Sequence, residues 1–175
     1  MPTSAIQACE LPDDAFLRRY LQEGGYADCF AIELPIAASQ AEYVEAFYTT
    51  SVFKLERWLL AKLVARPSTD AQAGDLAAGK RDAFAAWTVE DRRDDQLLLR
   101  DLAGRTRSWL MSMPAADRSA TRLYFGSAVV PVVDRRGVAR LGWMFRALLG
   151  FHRLYSRILL RAAVSRLMRG RRAAS

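Results

Sequence analysis

Over residues 83–133 apolar side chains recur at every second position, and over residues 140–169 they recur at every third or fourth. Period two belongs to strands, whose side chains alternate between faces, and the longer period to a helix. A run of strands followed by one long helix predicts an α+β chain in which the sheet finds its cover in that last helix. The alternation is specific. Ala83, Ala85, Trp87 and Val89 alternate with Phe84, Ala86, Thr88 and Glu90, and the polar run 91–95 turns the chain. Leu97 and Leu99 share one face, Leu98 and Leu102 the other, and Ala103-Gly104 makes a hairpin turn. Arg107, Trp109, Met111 and Met113 then share a face, and residues 121–133 read as one long strand. The expectation is four consecutive antiparallel strands.

Upstream, residues 26–34 place Phe30, Ile32 and Leu34 opposite Cys29, Ala31 and Glu33, a fifth strand that ends at Pro35. The residues to 25 form a lead-in, with Phe16, Leu17, Tyr20 and Leu21 on a short helix stopped by Gly24-Gly25. Ser39 and Glu42 have the spacing of a capping box, which satisfies two orphan amides at a helix start. Tyr43, Ala46 and Phe47 fall on one side of that helix. Thr50-Ser51 opens a second helix carrying Val52, Leu55, Trp58, Leu59 and Leu63, and residues 68–78 give a further amphipathic turn closed by Gly79. A single domain is expected, with a core over 26–168 and a frayed basic tail over 169–175.

Charge is divided unevenly along the chain. Lys and Arg number 26 against 19 Asp and Glu, a net of +7, yet residues 135–175 hold eleven Arg and no acid, leaving −4 for the rest. Projected at about 100° per residue, Arg146, Arg153, Arg157 and Arg161 form one stripe. Leu148, Phe151, Tyr155, Ile158, Leu159 and Ala162 occupy the far side, an apolar arc wide enough to cross a large concavity. The basic stripe reads as the outer face of a core helix, and as a contact for an anionic membrane or an acidic protein partner. Nucleic acid is disfavoured, because the aromatics fall on apolar faces instead of interleaving with Arg. The longest uncharged run, residues 123–133, is eleven residues, whereas a membrane-spanning helix needs about 20. Glu10, Asp13 and Asp14 precede any Lys or Arg, so no secretory signal is read and a cytoplasmic location is expected.

Chemical signatures are sparse. His152 is the single histidine, projected into the apolar arc, and no ligand cluster accompanies it. Cys9 and Cys29 form no CxxC pair and read as structural thiols of a reducing compartment. No metal and no cofactor are expected. Polar side chains set among apolar ones are Glu33, Asp101, Arg107 and Tyr124, with Asp101 and Arg107 placed to form a cross-strand pair on the solvent face.

The phrases "EAFYTTSVFKLERWLL", "DQLLLRDLAGRTRSWLM", "TRLYFGSAVVP" and "FRALLGFHRLYSRILL" resemble those of small, uncharacterised bacterial proteins of the START-like (SRPBCC, helix-grip) superfamily. The resemblance covers roughly residues 26–168. It implies a curved antiparallel sheet wrapped around a long C-terminal helix with two short helices after the first strand, although five strands are read here where the full fold has seven. It also implies a cavity that takes an apolar small molecule or lipid. No functional residue carries over from the superfamily; the candidate ligand contacts, Trp87, Asp101, Arg107, Trp109, Tyr124, Phe151, His152 and Tyr155, come from the polar and aromatic residues of the chain itself. Two alternatives stand beside this reading. One is peripheral association with an anionic surface through Arg146, Arg153, Arg157 and Arg161. The other is a cyclase- or hydrolase-like enzyme using Asp101, Tyr124 or His152, although a non-enzymatic role is favoured.

Overall fold

The computed structural model describes residues 5–54, 68–130, 132–133, 139–140 and 143–173, of which 132–133, 139–140 and 143–152 are described as backbone alone. The chain is α+β. A short edge strand, β1 (Gln7–Ala8), is followed by α1 (Arg18–Gln22), β2 (Tyr26–Leu34) and α2 (Gln40–Tyr48). After α3 (Asp70–Ala77) come β3 (Ala83–Phe84), β4 (Trp87–Arg93), β5 (Gln96–Asp101), β6 (Thr106–Pro114) and β7 (Thr121–Val129). A two-stranded ribbon of β8 (Val132–Val133) and β9 (Ala139–Arg140) leads into the long helix α4 (Trp143–Ala173).

Seven strands form one antiparallel sheet in the order β1-β2-β7-β6-β5-β4-β3. With its long C-terminal helix, this architecture is compatible with a helix grip. The count corrects the five strands read from the sequence. The lead-in contributes β1 as an edge strand, and the run 83–90 is two strands, because Ala85 turns at φ 51° between Phe84 and its partner Trp87. The polar run 91–95 does not all turn the chain. β4 continues through Arg93, and only Asp94-Asp95 makes the turn. The strand expected over 121–133 stops at Val129. The second helix expected after Thr50 begins, with Thr50 Oγ1 accepting from the Phe53 amide at 3.1 Å. The rest of it lies outside the described residues.

Two apolar layers sit on opposite faces of the sheet. On the inner face Phe30, Ile32, Leu34, Leu97, Leu99, Leu110, Leu123 and Phe125 meet Tyr43, Val44 and Phe47 of α2, Leu76 of α3 and Leu159, Leu160, Ala163 and Val164 of α4. On the outer face Cys29, Ala31, Leu98, Trp109, Met111, Tyr124 and Ala128 are covered by Leu11, Ala15, Leu17 and Tyr20. Strand alternation thus feeds two cores, and burial of each large apolar side chain contributes about 1.5–3 kcal/mol. The lead-in is a structural layer. Its α1 closes at Gly24, whose φ of 77° suits glycine.

The capping box expected at Ser39 is present: Ser39 Oγ accepts from the Glu42 amide at 3.2 Å and Glu42 Oε2 accepts from the Ser39 amide at 2.8 Å. Thr69 and Gln72 form a second box at the start of α3. α4 packs against α2 and touches β2 and β7. Its buried stripe is Ser156, Leu159, Leu160, Ala163 and Val164, rotated by roughly a third of a turn from the arc read in the sequence. Ile158, assigned to that arc, is 43% exposed. The helix also runs through Ala173 where a frayed tail was expected, with Arg171 donating to Ala37 O at 2.8 Å and to Glu42 Oε1 at 3.0 Å.

Gly126 of β7 marks where the outer layer presses hardest on the sheet. A Cβ there would lie 2.6 Å from Asp28 O, 2.8 Å from Leu17 Cδ1 and 3.0 Å from Trp109 Cε3. Backbone on one side and a buried indole on the other leave little room to relax. Gly126→Ala is expected to lower unfolding free energy by about 2–3 kcal/mol in urea titration. A loss below about 0.5 kcal/mol contradicts this packing.

Candidate functional site

The inner face leaves an apolar space between β4, β6, β7 and the middle of α4. It has a volume of about 310 Å³. Its walls are Phe47, Phe53, Trp87, Phe125, Tyr155 and Leu159. Each comes from a different place in the sequence, and elementary geometry explains their convergence. Phe125 is on the inward set of β7, Trp87 opens β4 after the Ala85 turn, and Phe47 closes α2 beside the break at Thr50. Phe47 and Phe125 approach to 4.9 Å between centroids, and Tyr48 and Phe53 pack edge to face at 4.8 Å. Such pairs add about 0.5–1.5 kcal/mol beyond area burial, so these aromatic walls are firm.

Polar groups in this wall are few, and most are engaged. Ser127 Oγ donates to Asp28 Oδ1 at 2.7 Å and its amide donates to the same oxygen at 3.1 Å. Ser108 Oγ lies 3.3 Å from Tyr48 Oη. Below them, Tyr43 Oη donates to Tyr124 O at 3.1 Å, and complete burial pushes that phenol well above its ordinary pKa. The indole Nε1 of Trp87 is buried with no hydrogen-bond partner. Beside Asp28, Tyr26 is also raised, first by desolvation and then by the neighbouring carboxylate, with Arg153 acting against both.

Of the eight ligand contacts expected from sequence, Trp87, Tyr155 and part of Arg107 line this space. The side chains of Phe151 and His152 lie outside the described residues. Trp109 and Tyr124 belong to the outer core, where Trp109 Nε1 donates to Gln96 Oε1 at 2.9 Å and burial raises the Tyr124 phenol. Asp101 closes the β5–β6 hairpin, its Oδ1 accepting from the Arg105 amide at 2.7 Å and the Thr106 amide at 3.2 Å. Asp101 and Tyr124 therefore do not converge with Tyr155. Glu33 is exposed at the edge opposite Arg122.

Arg107 contributes to the cavity wall between Thr106 and Ser108, but its guanidinium is on the outer side. The expected pair with Asp101 is not formed. Arg107 Nε lies 2.7 Å from Glu90 Oε2 and donates to Tyr20 Oη at 2.9 Å, while Nη1 donates to Gly104 O at 2.7 Å. Tyr20 in turn donates to Glu90 Oε1. The β5–β6 register is the cause: it sets Arg100 opposite Arg107 and leaves Asp101 on the other face. Separately, the register of β4 against β5 shifts at a bulge between Val89 and Asp91. It turns both Glu90 and Asp91 toward α1, and Asp91 takes Arg19 at 2.8 Å. Period-two reading places Glu90 on this face but not Asp91, because the bulge puts two neighbours on one side.

Among the described residues no group of three His, Cys, Asp or Glu side chains is arranged to hold a metal ion, and no helix is long and apolar enough to cross a membrane. Comparison of the chain with family models, curated proteins and solved structures returns no match. What the site offers chemically is an aromatic-walled, mainly apolar space.

The Tyr20–Glu90–Arg107 cluster is structural, so removing the Glu90 charge leaves Arg107 nearly buried and uncompensated. Glu90→Gln is expected to cost about 2–4 kcal/mol in denaturant unfolding, with Arg107→Met on that background recovering part of the loss. Additive effects of the two substitutions contradict the coupling.

Proposed function

We propose that this chain is a non-enzymatic, cytoplasmic helix-grip domain of the START-like type that holds an apolar small molecule or lipid between its sheet and α4. The observation that carries the reading is the cavity of about 310 Å³ with aromatic walls from α2, β4, β7 and α4. Ligand sites of small molecules span roughly 300–1,000 Å³ and are mainly apolar with a few placed polar groups. This space is at the small end, suited to one aromatic ring system or a short acyl segment.

Native mass spectrometry of the purified chain is expected to show a co-purified apolar molecule, or saturable uptake of an apolar fluorescent probe that quenches Trp87. Leu159→Trp fills the space from α4 and is expected to weaken probe binding by about tenfold or more, or about 1.4 kcal/mol, with the circular dichroism unchanged. Wild-type affinity in a folded Leu159→Trp protein defeats the reading.

A second reading rests on the solvent side of α4. Arg153, Arg157 and Arg161 are exposed there, together with Leu154 at 58% and Ile158 at 43%. Basic heads around apolar side chains suit an anionic membrane surface, and an acidic protein partner would use the same charges. The side chain of Arg146, assigned to the same stripe, lies outside the described residues. Co-sedimentation with vesicles containing anionic lipid is expected, weakened by salt. Replacing Arg153, Arg157 and Arg161 with Gln is expected to reduce it by about fivefold per residue. Equal pelleting with neutral vesicles removes this reading.

A further inference from the structure

Cys9 and Cys29 are 20 positions apart, yet their Sγ atoms lie 3.3 Å from each other. The register explains the meeting. Ala8 pairs with Phe30 across β1 and β2, which sets Cys9 directly opposite Cys29, and the Cys9 amide donates to Cys29 O at 3.0 Å. Directly opposite residues in a hydrogen-bonded antiparallel pair have Cα atoms about 5.5 Å apart, within the span a disulfide bridges. Both cysteines are free. Cys9 is partly exposed and Cys29 is buried, so one sulfur can meet a reagent while the other waits behind it.

We propose that Cys9 and Cys29 are a peroxide-oxidisable dithiol, with Cys9 the attacking thiolate and Cys29 the resolving thiol, whose disulfide fastens the outer layer to the sheet. The Cys9 thiolate attacks one oxygen of hydrogen peroxide and breaks the O–O bond. With one proton taken up, this gives the Cys9 sulfenic acid and one water. Cys29 sulfur then attacks Cys9 sulfur and displaces the hydroxyl, which leaves as a second water with the Cys29 proton. The two sulfurs together lose two electrons and the peroxide gains them.

The local electrostatics fit this order of events. The hydrogen bond from Cys29 lowers Cys9 to about 7, against the effect of burial and with help from the Arg122 guanidinium on β7. Cys29 is raised, first by its hydrogen bond to Cys9 and then by burial, with Asp28 adding to the rise and Arg122 opposing it. Two phenols also feel the pair, Tyr124 of β7, itself within the field of Asp14, and the buried Tyr43 of α2. The thiolate is the nucleophile, so near neutral pH Cys9 reacts and Cys29 does not.

The bridge would close a loop that contains Leu11, Leu17 and Tyr20, the side chains that cover the outer core. Tyr20 donates to Glu90 and accepts from Arg107, so the same bond secures the buried polar cluster.

The test uses the full chain, reduced and then titrated with hydrogen peroxide, with intact mass, thiol count and thermal unfolding as readouts. Expected are a mass loss of about 2 Da with both thiols consumed, reversal by dithiothreitol, and a monomer on non-reducing electrophoresis. The rate should rise through a midpoint near pH 7, since only the Cys9 thiolate attacks. The oxidised form is expected to unfold about 5–10 °C higher. Cys9→Ser should abolish the mass loss and leave Cys29 unreacted. Cys29→Ser should stop at a Cys9 sulfenic acid trapped by dimedone, and Cys29→Ala serves if the serine disturbs the core. Two thiols surviving peroxide that oxidises free glutathione overturn the proposal, as do oxygen adducts on wild type without the mass loss, or a disulfide between molecules.

Discussion

Everything in this molecule hangs on the pairing of β2 with β7. Nine consecutive residues, from Tyr26 opposite Val129 to Leu34 opposite Thr121, join the start of the sheet to the end of the β3–β7 meander. The contact is long-range and carries a loop-closure cost that local strands avoid. Burial on both sides offsets that cost, since β2 sends Phe30, Ile32 and Leu34 to one core and Cys29 and Ala31 to the other. One strand therefore fixes the positions of the inner helices, of the outer lead-in and of β1 with Cys9.

The two faces have been put to different uses. The inner one is built from large aromatic and aliphatic side chains whose packing leaves space beside α4, with hydroxyls turned into one another, into Asp28 or into backbone carbonyls. The outer one is tightly filled, with Gly126 admitting Leu17 and Trp109 where any side chain would collide. Its polar groups are satisfied by one another: Gln96 Oε1 takes both Trp109 Nε1 and the Phe16 amide, and Arg107 is shared between Tyr20 and Glu90. A closed polar network of this kind gives the lead-in one seat on the sheet.

The basic C-terminal helix shows how charge and burial coexist. Its arginines flank the buried stripe instead of standing opposite it, so Arg157 lays its guanidinium 5.4 Å from the centroid of the buried Phe30 ring. Long stems cover apolar surface while the charged heads stay wet. Near the far end Arg171 ties the helix to the capping box of α2 through Glu42. The excess of positive charge is thereby partly spent on holding the helix to the acidic body of the chain.

Local patterns in the sequence determined the element types: alternation gave β2 and the meander, the Ser39 and Glu42 spacing gave the start of α2, and the helical period gave α4. These are short-range properties, set by side-chain direction and by orphan amides within a few residues. Trp87 and Tyr155 were legible as lining of the inner space because each sits on an inward set of its own element. The rest was decided by tertiary structure. Which faces are buried depends on what covers them, so a lead-in that covers the outer face moved Trp109 and Tyr124 out of the cavity. The β5–β6 register put Arg107 on the face of Glu90 and Tyr20 and Asp101 on the other, and α4 packs on α2 with a buried stripe rotated from the one read in the sequence. Cys9 and Cys29 looked unrelated in one dimension because only strand register brings positions 20 apart within 3.3 Å. Register is a property of two strands together, and neither strand's sequence contains it.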